Sequence, residues 1–237
     1  VLAQVVYYFY AWGQVRKQTG CNKVYFSVPT GNFGDIFAGY IAKKMGLPIA
    51  DLVVATNQND ILHRTLETGA YTKEGVIPSI SPSMDIQVSS NFERALFDAY
   101  GRDGAAVAAQ MDDLKKGGFQ ISQGAYQMLK DSFKSGRASE EETSAAIKDY
   151  NLTHGELLCP HTAVGVHVAE DHLGAIPMVT LATAHPAKFP DAVKAASGVA
   201  APLPPRMADL YDRPERVTRV PNDMAALQAL IKERIKV

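Results

Sequence analysis

The chain has 237 residues, of which 46% are hydrophobic and 21% are charged, and its formal net charge at pH 7 is -1. This composition suits one large globular domain or two small ones, and the near-neutral charge gives no electrostatic reason to expect binding to nucleic acid or to an anionic membrane. Two cysteines, Cys21 and Cys159, are too few for a disulfide framework, so we expect a reduced, cytoplasmic protein.

The first segment, VLAQVVYYFYAW, is apolar nearly all round and predicts a helix over residues 1–18. It is too short to span a bilayer, and it has neither a basic leader nor a small-residue cleavage site, which disfavours a signal peptide. A helix that is apolar all round is normally buried. We therefore expect this helix to lie inside a core, partly covered by residues that precede it in the full protein.

Buried strands alternate with helices in the next part of the chain. The runs KVYFSV (23–28) and DLVVAT (51–56) are short, apolar and rich in β-branched residues, which is typical of strands buried on both faces. A helix is predicted over 35–45, and Asn59 or Asp60 can cap another after the second strand. This alternation predicts an α/β fold with a parallel sheet covered by helices on both faces.

The pattern changes after a polar loop at 81–91. From there to about residue 150 the sequence is more polar and helical, and Ser139 with Glu142 matches a capping box at a helix start. We interpret this stretch as an inserted helical subdomain that adds no strand to the sheet.

The α/β pattern returns near the end of the chain. CPHTAVGVHVAEDHLG (159–174) predicts a helix, PMVTLAT (177–183) a buried strand, and residues 191–197 a further helix. The last part contains a strand candidate, VTRV (217–220), and an amphipathic helix over 222–235.

A glycine-containing loop, PTGNFGD (29–35), joins the first predicted strand to the following helix. The first N–H groups of a helix have no partner within it, and glycines allow an anion to approach the backbone closely, so such a loop can bind a phosphate. It matches neither the Walker pattern nor the dinucleotide GxGxxG pattern. Asp35 would repel a phosphate unless it points aside. A plain strand-to-helix connection remains the alternative, and spacing alone does not decide between the two.

A second candidate ligand contact is Thr183 in TLATAHPAKF (180–189), at the end of a predicted strand. Ligands of open α/β sheets bind at the carboxyl ends of strands, so Thr183 and the glycine loop can face one crevice. The alternative is that Thr183 only caps the strand and that Lys188 is solvated.

The histidines and serines give weaker signals. A zinc site is disfavoured because His167 and His172 are five residues apart, whereas ligands on one helix face lie three or four apart. We expect His161 instead to orient a loop or to cap a helix. A serine hydrolase is disfavoured because the chain has no GxSxG elbow.

Several long motifs resemble one enzyme family. They are PTGNFGDIFAGYIAKKMGLPI (29–49), ATNQNDILHR (55–64), SPSMDIQVSSNFERALF (81–97), CPHTAVG (159–165) and LATAHPAKF (181–189). In this order they resemble the threonine synthases, pyridoxal 5'-phosphate (PLP) enzymes of fold type II, also called tryptophan synthase β-like. The resemblance is close over about residues 1–190 and loose in the tail.

The resemblance implies a three-layer, parallel-sheet fold with three regions. These are a part of the PLP-binding α/β domain (1–90), the inserted helical subdomain (91–155), and the continuation of the α/β domain with the C-terminal tail (156–237).

The resemblance also implies site residues. The loop that holds the PLP phosphate is formed by Gly31, Asn32, Phe33, Gly34 and Asp35, with Asp35 folding back instead of binding the phosphate. Thr183 faces the pyridine nitrogen. The candidate substrate contacts are Ser83, Asn91 and Arg94, although Arg94 has the alternative interpretation of a surface arginine at a helix start.

The resemblance implies that the protein converts O-phosphohomoserine and water into L-threonine and phosphate, as a lyase of threonine biosynthesis. The lysine that forms the Schiff base lies in an AFKD-like stretch in the family, and no such stretch occurs here. We therefore assign no catalytic residue in this chain and expect that lysine in an N-terminal half of the same enzyme, with this chain inactive alone. Lys188 lies in a matching motif, but the family places the lysine upstream.

Two other functions remain open from the sequence. One is a non-catalytic module of the same fold that binds a phosphate ligand, and the other, which ranks last, is a nucleotide-binding α/β protein.

Overall fold

A computed structural model describes residues 1–235 of the chain. Its strands are β1 (Val24–Pro29), β2 (Ile49–Thr56), β3 (Ala70–Thr72), β4 (Gly118–Gln120), β5 (Lys134–Arg137) and β6 (Met178–Thr180). Its helices are α1 (Val5–Thr19), α2 (Gly34–Lys44), α3 (Ile61–Thr68), α4 (Phe92–Ala99), α5 (Gly104–Lys115), α6 (Gln123–Ser132), α7 (Glu140–His154), α8 (Pro160–Glu170), α9 (Pro190–Ser197) and α10 (Met224–Arg234).

The main sheet has the strand order β5-β2-β1-β6, and every neighbouring pair is parallel. The register places Phe26 of β1 beside Leu52 of β2 and Val179 of β6. Because all four strands run the same way, their carboxyl ends lie at one edge, which we call the carboxyl edge of the sheet. The parallel sheet predicted from the apolar runs is confirmed.

Helices cover both faces of this sheet. Along β2, Leu52 and Val54 belong to a core shared with residues of α1 to α4, whereas Val53 and Ala55 pack into a second core with Val164 of α8. Alternate side chains of a strand point to opposite faces, so both faces are apolar and buried. This confirms the three-layer α/β architecture.

Helix α8 lies very close to the sheet. A β-carbon at Gly165 would be 2.9 Å from side-chain atoms of Pro29 and Thr180, so a larger residue would push the helix away. The Ser27 hydroxyl of β1 donates to the Gly165 carbonyl at 2.7 Å. The close approach fixes the N-terminal half of α8 beside the ends of β1 and β6.

Helix α1 confirms the predicted N-terminal helix and is covered on one face. Only Val5 and Tyr8 are buried, with Tyr8 packed on Phe26, whereas Val6 is 64% and Tyr10 is 68% exposed. The helix therefore has one covered face within the described residues, and the expectation that residues preceding it in the full protein cover the rest stays a prediction.

The region after residue 91 differs from its prediction in one respect. Residues 134–137 form β5, which pairs in parallel with β2 at the edge of the main sheet, so the expectation that this stretch adds no strand is wrong. Their sequence, KSGR, has no apolar signal because an edge strand can pair through its backbone with half-exposed side chains. The ribbon of β3 and β4 was not predicted either. The division at 91 and 155 stays a prediction.

The predicted helix ends are borne out unevenly. The capping box of Ser139 and Glu142 is present at the start of α7 and is confirmed. Helix α3 begins after Asp60, as predicted, but neither Asn59 nor Asp60 gives it a side-chain cap. The Asp60 carboxylate instead accepts hydrogen bonds from two arginines, Arg64 at 2.8 Å and Arg137 at 3.0 Å.

The chain divides into two compact units, Val1–Pro202 and Leu203–Val237. In the described part of the second unit, α10 confirms the predicted C-terminal helix, and the Asp223 carboxylate caps it by accepting from the Ala226 N–H at 2.8 Å. The predicted VTRV strand is wrong, because these residues have no strand partner among the described residues. No helix in residues 1–235 is long and apolar enough to cross a bilayer.

Candidate functional site

The glycine loop leaves β1 at the carboxyl edge and enters α2 through a left-handed residue. Phe33 has φ of 61° and is buried, with its ring 5.2 Å from the rings of both Phe92 and Phe133. A left-handed conformation is unfavourable for a bulky side chain, so this aromatic packing must hold it. The packing fixes the shape of the loop from behind.

The carbonyl groups of the loop are bound by the segment that precedes α4. The Ser89 hydroxyl donates to the Gly31 carbonyl at 2.9 Å. The Asn32 carbonyl accepts from both the backbone N–H of Asn91, at 3.1 Å, and its side-chain amide, at 2.9 Å. These bonds orient the peptide planes, so the loop is fixed on its acceptor side.

The N–H groups of the loop are left without partners. Within the described residues, none of the N–H groups of residues 31–36 donates a hydrogen bond. They precede or begin α2, where the helix dipole is positive. A β-carbon at Gly31 would be 2.6 Å from the Ser83 carbonyl oxygen, so only glycine fits there. Unpaired donors at a positive helix end fit an anion such as a phosphate.

A cavity of about 150 Å³ lies at this point of the carboxyl edge. The residues that line it are Pro29, Gly31, Ser83, Met84, His161, Thr183, Ala184, Lys188 and Phe189. The structure therefore brings Gly31, Thr183 and Ser83 together, although they are far apart in sequence. The expectation that Thr183 and the glycine loop face one crevice is confirmed, whereas their roles stay predictions.

Lys188 gives this cavity its positive charge. None of the lining residues in the described chain is acidic, and Lys188 has no carboxylate within 4.0 Å among the described residues. Its ammonium lies 5.9 Å from the centre of the Phe189 ring. The sequence indicated Lys188 only as a solvated residue or as a lysine that could be mistaken for the catalytic one, so its part in the cavity was missed.

His161 orients the loop that carries Ser83. The Ser83 N–H donates to the His161 Nε2 at 3.2 Å, so Nε2 is an acceptor and the neutral ring carries its proton on Nδ1. Burial lowers the pKa of His161, the charge of Lys188 lowers it further, and the charge of Asp85 opposes both. The lowered pKa favours the neutral ring, and the bond from Ser83 confirms the expectation that His161 orients a loop.

Asp35, the awkward residue of the loop, points toward α1. The Tyr8 hydroxyl donates to the Asp35 carbonyl at 2.8 Å and lies 3.4 Å from its carboxylate. Burial raises the pKa of Asp35 above its ordinary value of 3.8, and the bond from Tyr8 opposes the shift. Burial thus disfavours the negative charge that would repel a phosphate.

The three candidate substrate residues lie in different surroundings. Ser83 lines the cavity. The side-chain amide of Asn91 donates to the Asn32 carbonyl, so Asn91 supports the loop. Arg94 is exposed on α4 and is not among the residues that line the cavity. Ser89, which binds Gly31, was not predicted, although its place beside Asn91 in the motif SSN could have drawn attention to it.

The remaining histidines do not converge. His154 and His167 line a groove between α7 and α8, whereas His185 and Cys159 line a separate cavity of about 610 Å³. Within residues 1–235, no group of three or more His, Cys, Asp or Glu side chains could hold a metal ion.

Comparisons with known proteins agree with this geometry. A sequence profile described as "Threonine synthase, C-terminal" matches residues 162–231. The threonine synthase of Pseudomonas aeruginosa is 50% identical over 237 residues, which span 98% of this chain and 50% of that protein. The crystal structure of PLP-bound threonine synthase from Brucella melitensis has a TM-score of 0.93 and 52% identity, covering 100% of this chain and 51% of that one. Yeast threonine synthase gives a TM-score of 0.86 at 39% identity, covering 98% and 51%.

The chain therefore spans about half the length of the relatives that it matches. Its three-layer parallel-sheet architecture is that of PLP enzymes of fold type II. From the identity across almost its whole length and the agreement of the folds, the chain belongs to the threonine synthase family.

Proposed function

We propose that this chain is part of a PLP-dependent threonine synthase, which converts O-phosphohomoserine and water into L-threonine and phosphate. The observation that carries the proposal is the glycine loop, whose carbonyls are bound by Ser89 and Asn91 while its N–H groups have no partner among the described residues. A fixed row of free donors at a helix N-terminus is suited to the phosphate group of PLP. The threonine synthase from Brucella melitensis was crystallised with PLP bound.

The residues at the cavity fit the rest of the cofactor. When bound, PLP acts as an electron sink that stabilises negative charge on the carbon atoms of an amino-acid substrate. We assign the phosphate to Gly31, Asn32, Phe33 and Gly34, and the pyridine nitrogen to the hydroxyl of Thr183. A hydroxyl can donate to this nitrogen but cannot keep it protonated as a carboxylate would, which suits elimination and replacement better than transamination.

The substrate carries a phosphate of its own, so its site needs further positive charge. Lys188 at the cavity and the exposed Arg94 on α4 are the cations that we propose for it, together with Ser83. The cavity of about 150 Å³ is smaller than sites that enclose a whole ligand, about 300–1,000 Å³. We propose that an N-terminal half of the same enzyme encloses the remainder and supplies the lysine that holds PLP covalently. The free thiols Cys21 and Cys159 support a cytoplasmic location.

The test uses the full-length protein whose sequence includes this chain. We expect it to release threonine and phosphate from O-phosphohomoserine only when PLP is present. Replacing Arg94 by Glu should leave PLP uptake intact and raise KM for the phosphorylated substrate. Unchanged kinetics would remove Arg94 from the substrate site.

The alternative function, a non-catalytic module that binds a phosphate ligand, predicts a different result in the same assay. Such a protein would bind PLP through its phosphate without forming a covalent adduct that borohydride can reduce, and it would release no threonine. That result would contradict the enzymatic proposal.

A further inference from the structure

A buried polar cluster lies behind the cavity and has no role in the function described so far. We call it the Asp85 cluster. It consists of the side chains of Asn57, Asn59, Ser79, Ser81 and Asp85. Asn57 and Ser81 are fully buried, and Asn59 is 3% exposed. Polar side chains are buried at a cost unless they are hydrogen-bonded, so this cluster must do something that apolar residues could not.

The Asp85 carboxylate is the centre of the cluster. Its Oδ1 accepts from the Asn57 amide at 2.8 Å, the Asn59 amide at 2.9 Å and the Ser79 hydroxyl at 2.6 Å. Its Oδ2 accepts from the Ser79 N–H at 2.8 Å. Only a carboxylate offers acceptors on both oxygens. An asparagine would place at least one N–H group against a donor.

The cluster holds both ends of a short turn that lines the cavity. The turn Pro82–Met84 is flanked by Ser81 and Asp85, and the Asn57 amide donates to both of these side chains, at 2.9 Å and 2.8 Å. Asn57 follows β2 directly, so it ties the turn to the carboxyl edge of the sheet.

The Pro82–Met84 turn places Ser83 at the cavity. The Ser83 carbonyl oxygen is the atom that leaves no space for a side chain at Gly31, and the Ser83 N–H donates to His161. A shift of the turn would therefore change the shape of the cavity. It would also weaken the bond from Ser83 that fixes the tautomer of the His161 ring.

We infer that Asn57 and Asp85 are positioning residues, which hold the Pro82–Met84 turn at the cavity and thereby set the affinity for the substrate. This inference rests on the proposed function for its kinetic consequence, but the coupling between Asp85 and His161 does not depend on it. Neither residue lines the cavity, so they act through Ser83.

The experiment compares Asp85→Asn with Asp98→Asn in the full-length protein. Asp98 is a matched control, since its half-buried carboxylate on α4 accepts from the Tyr40 hydroxyl at 3.0 Å and the Arg102 guanidinium at 3.1 Å, away from the cavity. A protein that is only destabilised contains fewer active molecules, so its apparent kcat falls at unchanged KM. A displaced turn raises KM. We expect Asp85→Asn to raise KM by about tenfold or more, and Asp98→Asn to leave it within about twofold.

The second readout needs no cofactor. In ¹⁵N NMR spectra of the histidines, with His161 assigned from its loss in His161→Gln, we expect one tautomer with the proton on Nδ1 in the wild type and in Asp98→Asn. In Asp85→Asn we expect the bond from the Ser83 N–H to His161 Nε2 to weaken. The His161 ring would then exchange between its two neutral tautomers, and its ¹⁵N signals would move to averaged positions. An unchanged KM and a single tautomer in Asp85→Asn would overturn the inference.

The design covers two further cases, a variant that does not fold and a wild type that makes no threonine. Should Asp85→Asn fail to fold, Ser79→Ala removes the shortest bond to the carboxylate and is expected to raise KM about threefold, with the same criteria for failure. Should the wild type make no threonine, the proposed function fails, and the tautomer of His161 still decides the inference.

Discussion

Two strand-to-helix connections lie side by side at the carboxyl edge of the sheet and are built in opposite ways. The connection from β1 to α2 uses its backbone, since its carbonyls are bound and its N–H groups are left free within the described chain. The connection from β2 to α3 uses its side chains, because Asn57, Asn59 and Asp60 all make hydrogen bonds to other parts of the protein.

The difference assigns a separate role to each connection, ligand binding to the first and support of a neighbouring loop to the second. Free N–H groups at a helix N-terminus make the first connection a place for an anionic ligand, whereas the bonded side chains of the second hold the adjacent loop. A binding loop needs unpaired donors that are nevertheless rigid, and the rigidity comes from its neighbours. Substitutions in the two kinds of contact should therefore have different readouts.

The largest expected effect comes from the aromatic packing that holds the first connection. Phe33→Ala removes a buried ring between Phe92 and Phe133, and we expect the free energy of unfolding to fall by about 3–5 kcal/mol. Urea unfolding would measure it. Phe97→Ala is the control, since that ring is 39% exposed and should cost about 1 kcal/mol or less. An equal loss in the free energy of unfolding in both variants would show that the packing of Phe33 is not what holds the glycine loop.

The next effect concerns ligand affinity instead of stability. Gly31→Ala places a β-carbon 2.6 Å from the Ser83 carbonyl oxygen, and relieving such a clash costs about 1–3 kcal/mol. We expect the Kd for PLP in the full-length protein to rise about 10- to 100-fold, measured by absorbance titration. Gly124→Ala in α6 is the control, because nothing lies within 4 Å of its β-carbon position. Wild-type affinity in Gly31→Ala would show that the phosphate does not bind at this loop.

A smaller effect should follow from loosening one carbonyl of the loop. Ser89→Ala removes the 2.9 Å bond to Gly31, and a hydrogen bond of this kind contributes about 1 kcal/mol. PLP affinity should then weaken about fivefold in the same titration. The adjacent Ser90 is exposed, so Ser90→Ala should bind as the wild type does. An equal loss in both variants would argue against a specific role for Ser89.

The smallest effect is a dependence of stability on pH. Burial first, and then Lys188, lower the pKa of His161 below 6.5, so the folded protein binds this proton less readily than the unfolded chain. The contribution of neutral His161 is therefore present above pH 6.5 and is lost as pH falls through the lower pKa of the folded state. Protonation would also turn Nε2 into a donor that faces the Ser83 N–H.

The measurement is urea unfolding at pH values of about 7.5 and about 5.5. His161→Gln keeps an acceptor for Ser83 but does not titrate, so it should lose less stability than the wild type on acidification. His63, whose pKa is also lowered by burial, remains in both proteins and cancels in the comparison. The same loss in both proteins would exclude His161 as the source.

The sequence alone predicts the part of the fold that depends on local apolar pattern. The strands β1 and β2 are short buried runs and were found. Strand β6 was found as well, but it spans only Met178–Thr180 of the predicted 177–183 and is half-buried, not buried. Strand β5 was missed because its residues, KSGR, join the sheet by backbone pairing at an edge. The VTRV segment (217–220) has the composition of a strand, but a strand forms only where a partner exists, and the described chain gives it none.

The candidate site divides in the same way. The glycine loop and Thr183 could be found because strand ends in a parallel sheet meet at one edge. The contacts of Ser89, Asp85 and Lys188 could not, since each depends on which loop folds over which strand end. Asn57 and Asp85 are 28 residues apart in the sequence, with no periodic pattern between them to indicate contact.

The central claim is that the N–H groups of the glycine loop bind the phosphate of PLP, and a crystal structure of the full-length protein with PLP bound tests it most directly. We predict phosphate oxygens about 3 Å from the backbone nitrogens of residues 31–34, and the Thr183 hydroxyl about 3 Å from the pyridine nitrogen. A phosphate held at another loop, with the N–H groups of 31–34 facing solvent, would contradict the account.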